Sequence, residues 1–155
     1  MAILAIKPAS AQAYSCPNKP VELRYEEAYR IFLIHVTRVT LDDSLHDLFF
    51  SDRADDDEFR ESIKPVLADY EILEDFKGDV SFKPKLIDFF GIGTGFAGLY
   101  PGQYYLVMLE NHGDDRFPGY HVANICNTPF RHHRLNVDSF QEQLNAMRAL
   151  RDKEH

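Results

Sequence analysis

The sequence has no tryptophan, only two cysteines in 155 residues, and no apolar run near the length of a membrane span. A helix that crosses a bilayer needs about 20 mostly apolar residues, so we expect no membrane-spanning segment. Positive charge is also scarce, because 17 lysines and arginines stand against 25 aspartates and glutamates, which gives a net charge of -8. This balance repels phosphate backbones, and we therefore expect no nucleic-acid partner.

The chain does contain enough apolar material for one folded domain. Hydrophobic residues make up 45% of the sequence and aromatic residues 13%, all of them phenylalanine or tyrosine. A chain of this length buries about two-thirds of its unfolded surface around a single core. We expect one domain over residues 14–155.

Residues 1–13 are typical of the end of a secretory signal peptide. A short apolar run, MAILAI, is followed by Ala11-Gln12-Ala13, the small-x-small pattern of a signal peptidase site. A frayed tail is the alternative. The pattern predicts an exported protein, periplasmic or secreted. In such a protein the isolated pair Cys16 and Cys126 is most simply a disulfide, with two unrelated buried thiols as the alternative.

Residue patterns predict five strands between two helices. β-branched and aromatic runs bounded by turn residues indicate the strands. The C-terminal helix is predicted from Ser139, which has capping-box spacing with Glu142, and from the apolar repeat Phe140, Leu144 and Met147. The remaining predicted elements are a short helix at 21–29, strands at 31–41, 63–76, 80–90, 103–110 and 119–126, and an acidic loop at 42–62.

The segment GIGTGFAG, residues 91–98, contains a G-x-G-x-x-G string. This fingerprint binds a dinucleotide only where a helix begins on the glycines, so that the helix N-terminus faces the pyrophosphate. Here Pro101 and a further β run follow, and we interpret the string as a chance match that binds no nucleotide. The glycines are expected to serve a loop that needs positive φ or close backbone contact.

Five strands, a long loop after the first and a C-terminal helix suggest a mainly β fold, a small Greek-key barrel of the OB type. Two segments then carry a family resemblance: Y-x-I-x-x-x-F-K-G at residues 70–78, and Gly-Gln-Tyr-Tyr-Leu-Val at residues 102–107, followed later by Cys126. In this order and spacing the chain resembles the netrin-like, or tissue-inhibitor-of-metalloproteinases-like, domain. The resemblance implies a five-stranded OB-type barrel with a short N-terminal helix and a C-terminal amphipathic helix.

The chain departs from the family at one of its disulfides. The family opens with Cys-x-Cys, where this chain has Tyr-Ser-Cys at residues 14–16, and its later Cys-Gly is replaced by Gly-Ile-Gly at residues 91–93. One family bridge is therefore absent, and the resemblance implies that Cys16 and Cys126 match the second. In inhibitors of this family the N-terminal residue presents its α-amine and carbonyl to a protease zinc ion. Tyr14 carries the same backbone groups if cleavage follows Ala13.

Other charged or nucleophilic motifs have simpler explanations. In FRHHR, residues 130–134, the neighbouring histidines point apart on an extended chain, which favours a solvated basic loop over a metal site. DRADDDE, residues 52–58, lacks the glycine and the ligand spacing of a calcium loop. His35 lies within a strand and is interpreted as a packed residue. No nucleophile is visibly paired with a base, so we expect no enzymatic activity, no cofactor and no bound metal.

Two classes of function remain open. The first is a module that binds a protein partner, with a zinc endopeptidase as one such partner, through one edge of the barrel. The second is a barrel that binds an oligosaccharide or a peptide on its strand face, where Tyr104 or Tyr105 stacks on the ligand. The residues predicted to form the partner-binding edge are Tyr14, Ser15, Cys16, Pro17, Phe89, Phe90, Gly91, Gly93 and Phe96.

Overall fold

The computed structural model describes residues 19–45, 64–90, 98–110, 119–123, 126, 130–131 and 137–154. Within these ranges the chain forms a mainly β fold of six strands with one short and one long helix. In chain order the elements are α1 (Val21–Glu27), β1 (Arg30–Leu41), β2 (Lys64–Lys77), β3 (Lys85–Phe90), β4 (Tyr104–Leu109), β5 (Tyr120–Val122), β6 (Phe130–Arg131) and α2 (Val137–Glu154).

All six strands belong to one mixed sheet in the order β5-β3-β2-β1-β4-β6. Neighbouring strands are antiparallel except β3 and β5, which run parallel. The long central pair β1 and β2 carries three register shifts, between Ile31 and Phe32, Leu33 and Ile34, and Val36 and Arg38. Irregularities of this kind bend the strands and increase their twist. The sheet is accordingly curled rather than flat.

The main core lies on the inner face of this curled sheet. Alternate residues of β1 and β4 point into it, because successive side chains of a strand face opposite sides. Leu86 of β3 and Ala123 after β5 share the cluster with Leu109 of β4, although the sheet order separates these strands. The cluster comprises Phe32, Ile34, Val36, Ala68, Tyr70, Leu86, Leu99, Tyr105, Val107, Leu109 and Ala123.

A second core covers the outer face of β1 and β4. Ile31 and Leu33 of β1 pack there with Leu106 and Met108 of β4, beneath the two helices. The contacts from α2 come from its buried residues Phe140, Leu144 and Met147. The first half of β1 is thus buried on both faces, which explains why it reads as the continuous apolar run IFLI.

The turn after β2 requires a glycine. Gly78 has φ +90, and a Cβ at this position would collide with the carbonyl oxygen of Tyr29. Beside it, the buried Arg30 donates from Nη1 to the carbonyl of Lys77 at 3.0 Å and pairs with the carboxylate of Asp75. The Lys-Gly-Asp turn expected from the sequence is therefore present, and it packs tightly against the start of β1.

Each of the five predicted strands contains an observed strand, and the apolar stripe of the C-terminal helix is buried as predicted. The prediction for residues 80–90 was too long, because Asp79 accepts hydrogen bonds from the backbone and hydroxyl of Ser81 and makes a turn before β3. The proposed cap at Ser139 was wrong, since helix α2 begins two residues earlier at Val137.

Candidate binding surfaces

The structure describes only part of the predicted partner-binding edge. Residues 14–17, together with Gly91, Gly93 and Phe96, lie outside the described residues. Phe89 is buried in β3 against Leu45 and Ile87. Phe90, the last residue of β3, pairs with Lys64. Within the described part of this edge, Phe89 therefore supports strand β3 from inside rather than facing solvent.

The end of the glycine segment is held by two buried side chains. The Tyr105 hydroxyl donates to the carbonyl of Gly98 at 2.7 Å and accepts from the Tyr100 amide at 2.9 Å. The Asp88 carboxylate accepts from the Leu99 amide at 2.7 Å. Because strands β3 and β4 position these two side chains, they fix the backbone at which the glycine segment rejoins the sheet.

Gly98 itself has φ +67, as expected for a loop glycine. The chain then runs through a turn into β4, so the residues after the glycine string form a strand and not a helix. A helix on the last glycine is what the dinucleotide fingerprint requires. The rest of the string, residues 91–97, lies outside the described residues.

Cys126 lies beside helix α1. Its carbonyl oxygen accepts a hydrogen bond from Nη1 of Arg24 at 3.4 Å, and the residue is half-buried. Helix α1 begins at Val21, shortly after Cys16 in the chain. Cys16 lies outside the described residues, so its disulfide with Cys126 stays a prediction.

The two tyrosines proposed for ligand stacking have opposite environments. Tyr105 is fully buried, and its hydroxyl is engaged within the chain. Tyr104 is 37% exposed and stacks on His35, with ring centroids 4.8 Å apart and an interplanar angle of 22°. Of the two, only Tyr104 offers a surface to a ligand, and His35 is packed against it, as expected for a residue within a strand.

A groove of about 270 Å³ lies on β2 and the segment leading into β3. Its two lysines are each hydrogen-bonded and held over an aromatic ring. Nζ of Lys83 donates to the Tyr70 carbonyl at 2.7 Å and lies 4.8 Å from the centroid of the Tyr70 ring. Nζ of Lys85 donates to the Tyr120 hydroxyl at 3.1 Å and lies 4.6 Å from that ring. The groove is lined by Thr37, Leu67, Ala68, Asp69, Tyr70, Lys83, Pro84 and Lys85.

The three other polar side chains that line this groove, those of Thr37, Asp69 and Tyr70, also form hydrogen bonds within the chain. Asp69 accepts from Arg38 at 2.6 Å, and its carbonyl accepts from the Thr37 hydroxyl at 3.1 Å. The Tyr70 hydroxyl donates to the Pro84 carbonyl, and burial raises the pKa of Tyr70. Tyr70 therefore stays a neutral donor at physiological pH.

Away from these surfaces, ionisable groups attach helix α2 to the sheet. Glu74 of β2 accepts from Arg148 at 2.7 Å and from Arg151 at 3.1 Å. The hydrogen bond from Arg148 lowers the pKa of Glu74. The Tyr25 hydroxyl lies between the Phe76 carbonyl and Glu154, and burial raises the pKa of Tyr25 to about 12.

The motifs that suggested metal binding are only partly described. Phe130 and Arg131, expected in a solvated loop, instead form strand β6 beside β4. The two histidines that follow, and the acidic run at 52–58, lie outside the described residues. In the part of the chain that the structure covers, no three histidine, cysteine or acidic side chains gather closely enough to hold a metal ion.

Within the described ranges, no helix combines the length and the apolar character that crossing a membrane requires. No protein-family model matches the chain, and no curated protein is significantly similar to it.

Proposed function

We propose that the protein is an exported, non-enzymatic binding module of the netrin-like type that recognises a protein partner through one edge of an OB-type barrel. The observation that carries this proposal is the attachment of Gly98–Tyr100 to the buried Asp88 and Tyr105. A recognition loop that is held at its base loses less conformational entropy on binding.

The strand connections support an OB-type barrel. Strand β1 pairs with both β2 and β4, and β3 pairs with a parallel β5, so the chain does not follow a simple meander. The residues of one core come from β1 through β4 together with Ala123 after β5. A partly open Greek-key barrel of five main strands likewise has strands that pair out of chain order around one shared core. The two-residue β6 extends it beside β4.

One contact among the described residues supports a place for residues 14–17 near Cys126. The hydrogen bond from Arg24 to Cys126 places the C-terminal cysteine beside the helix that follows residues 14–17. A Cys16–Cys126 bridge would hold those residues next to the barrel. We propose that residues 14–17 and the glycine segment then form one surface.

The most specific partner for this surface is a zinc endopeptidase. Cleavage after Ala13 would free the α-amine of Tyr14, which together with its carbonyl oxygen can bind zinc. One added residue would convert that amine into an amide, a poor zinc ligand. Because the first family disulfide is absent, binding must order a looser segment, and we expect weak inhibition.

This mechanism is tested with two proteins that differ by one residue. The chain beginning at Tyr14 and the same chain with one preceding alanine are compared against a panel of zinc endopeptidases. We expect inhibition by the first only. Equal inhibition by both would refute chelation by Tyr14, and inhibition by neither would leave a binding module that acts on other proteins.

The second candidate is a strand-face site for an oligosaccharide or a peptide. The specific observation in its favour is the exposed ring of Tyr104, stacked on His35 on the sheet face away from the main core. The groove at Lys83 and Lys85 lies on β2 and the segment before β3, on the other side of β1 from Tyr104. Loss of ligand binding in Tyr104→Ala, with Val80→Ala as an exposed control, would favour this site.

A further inference from the structure

We propose that the groove on β2 and β3 binds an extended acidic peptide segment that carries carboxylates at alternate positions. The inference rests on the strand-face function and names the chemical class of its ligand. Its basis is the pair of lysines that line the groove, Lys83 and Lys85.

The charge of the two lysines is not neutralised by the part of the protein that the structure describes. Asp69, the acidic residue of the lining, is paired with Arg38. No described carboxylate lies within ion-pair distance of Lys83 or Lys85. The whole chain has a net charge of -8. Lys83 and Lys85 therefore attract short anionic groups locally, whereas the negative charge of the protein as a whole repels long polyanions.

The two ammonium groups are already held in place. Each is fixed by one hydrogen bond and by the face of an aromatic ring. An ammonium group has three N–H donors, so each lysine keeps further donors for a ligand. The entropy cost of ordering a long lysine side chain has therefore been met before binding, which favours affinity.

The size and spacing of the groove suit a peptide rather than a compact small molecule. Its volume of about 270 Å³ is below the roughly 300–1,000 Å³ of pockets that enclose a drug-sized ligand. Lys83 and Lys85 are two residues apart, so their Cα atoms lie at most about 7 Å from each other. Their ammonium groups lie over Tyr70 of β2 and Tyr120 of β5, so that an extended peptide presents alternate carboxylates to them, and Leu67 and Pro84 add apolar contacts.

The lining also disfavours a sugar in this groove. Saccharides bind by stacking on open aromatic faces, but the Tyr70 ring is buried and has Lys83 over it. The exposed ring of Tyr104 is not part of the lining. The groove thus selects carboxylates by charge rather than rings by stacking.

The test measures binding of a fluorescein-labelled peptide with alternating glutamate and threonine, followed by fluorescence anisotropy. The matched peptide has glutamine in place of each glutamate. We expect the full-length wild-type chain to bind the acidic peptide at least about tenfold more tightly than the neutral one, because two exposed ion pairs contribute about that factor. The double variant Lys83→Gln/Lys85→Gln should lose this preference, whereas Lys153→Gln, an exposed lysine on α2, should keep it.

A second measurement uses the wild-type protein alone. Carbodiimide activates the peptide carboxylates, which then form amides with nearby lysine Nζ atoms, and mass spectrometry locates them. Amides concentrated on Lys83 and Lys85 support the proposal, and an even distribution over the lysines overturns it even if the double variant fails to fold.

The remaining outcomes separate the two proposals. Equal binding of the acidic and neutral peptides would retain the strand-face function and overturn the charge selection. Binding of oligogalacturonate with no binding of the acidic peptide would overturn the peptide in favour of an acidic polysaccharide. Binding of none of these probes would overturn the acidic ligand, whereas the strand-face function is tested separately by the Tyr104→Ala variant.

Discussion

The neighbouring residues Tyr104 and Tyr105 show how much single side chains of the same type can differ in role. Tyr105 is fully buried and donates to the Gly98 carbonyl, while Tyr104 lies partly in solvent against His35. The period of a strand predicts that these two residues face opposite sides of the sheet. It does not say which side is covered, because that depends on helices far away in the chain.

Removing the Tyr105 hydroxyl should loosen the base of the glycine segment. In Tyr105→Phe the Gly98 carbonyl and the Tyr100 amide each lose a hydrogen-bond partner, so we expect the free energy of unfolding to fall by about 1–3 kcal/mol. In Tyr104→Phe the ring is kept and the hydroxyl that is removed belongs to a partly exposed residue, so we expect a smaller loss. Urea denaturation of both variants measures the difference, and equal losses would contradict a special role for Tyr105.

At the scale of elements, α2 is held to the sheet by both apolar and ionic contacts. Phe140, Leu144 and Met147 cover the outer core, and Glu74 binds Arg148 and Arg151 across the helix-sheet boundary. The hydrogen bond from Arg148 lowers the pKa of Glu74 in the native state. The docking of this helix is therefore linked to pH.

We expect Glu74 to make stability fall in acid. Its pKa in the native state lies below the ordinary value of 4.5, so the ionised carboxylate stabilises the native protein above that value. This contribution is lost as the pH falls through the lowered pKa. Glu74→Gln should cost about 1 kcal/mol at pH 7 and should reduce the loss of stability between pH 6 and pH 3.

The measurement is chemical denaturation at several pH values, and the control is Glu71→Gln. Glu71 is exposed on the same strand and makes no ion pair among the described residues. If Glu74→Gln and the wild type lose the same stability in acid, the Arg148 and Arg151 contacts do not contribute measurably.

The sequence predicted which helices and strands form better than it predicted where they end and which of their side chains form a binding surface. β1 and β4 have strong apolar runs, and both were predicted within a residue or two of their bounds. β6 was not predicted because its two residues have no strand pattern in the sequence and pair with β4 only through contacts between distant parts of the chain. The groove was not predicted for a similar reason. In the sequence FKPKL, Lys83 and Lys85 look like any other surface lysines, and only the fold brings the rings of Tyr70 and Tyr120 beneath them.

At the scale of the whole molecule, contacts between distant parts of the chain hold the curled sheet and its helices together. Strand β5 pairs in parallel with β3, and Cys126, a few residues after β5, lies beside α1. A covalent link from Cys126 to the segment before α1 would join two parts of the fold that are distant in the chain. Closing a loop of this length stabilises a protein by about 4–5 kcal/mol through the entropy of the unfolded chain.

We expect exported protein to contain the Cys16–Cys126 disulfide. Non-reducing mass spectrometry should show a mass lower by about 2 Da than after reduction, since both thiol hydrogens are lost. Reduction should also lower the melting temperature to that of the double variant Cys16→Ser/Cys126→Ser. Free thiols in correctly exported protein, or no change in melting temperature on reduction, would contradict the prediction.

The position of α2 after all six strands has a consequence for how the protein is made. A ribosome releases all six described strands before it releases this helix, so the side chains of Ile31, Leu33, Leu106 and Met108 stay uncovered on the outer face of a nascent sheet until α2 has emerged. Exposed apolar strand faces promote aggregation. We expect the growing chain to depend on holding chaperones during this interval. Truncations within α2 should reduce the yield of soluble protein strongly, although they remove no hydrogen bond between the strands.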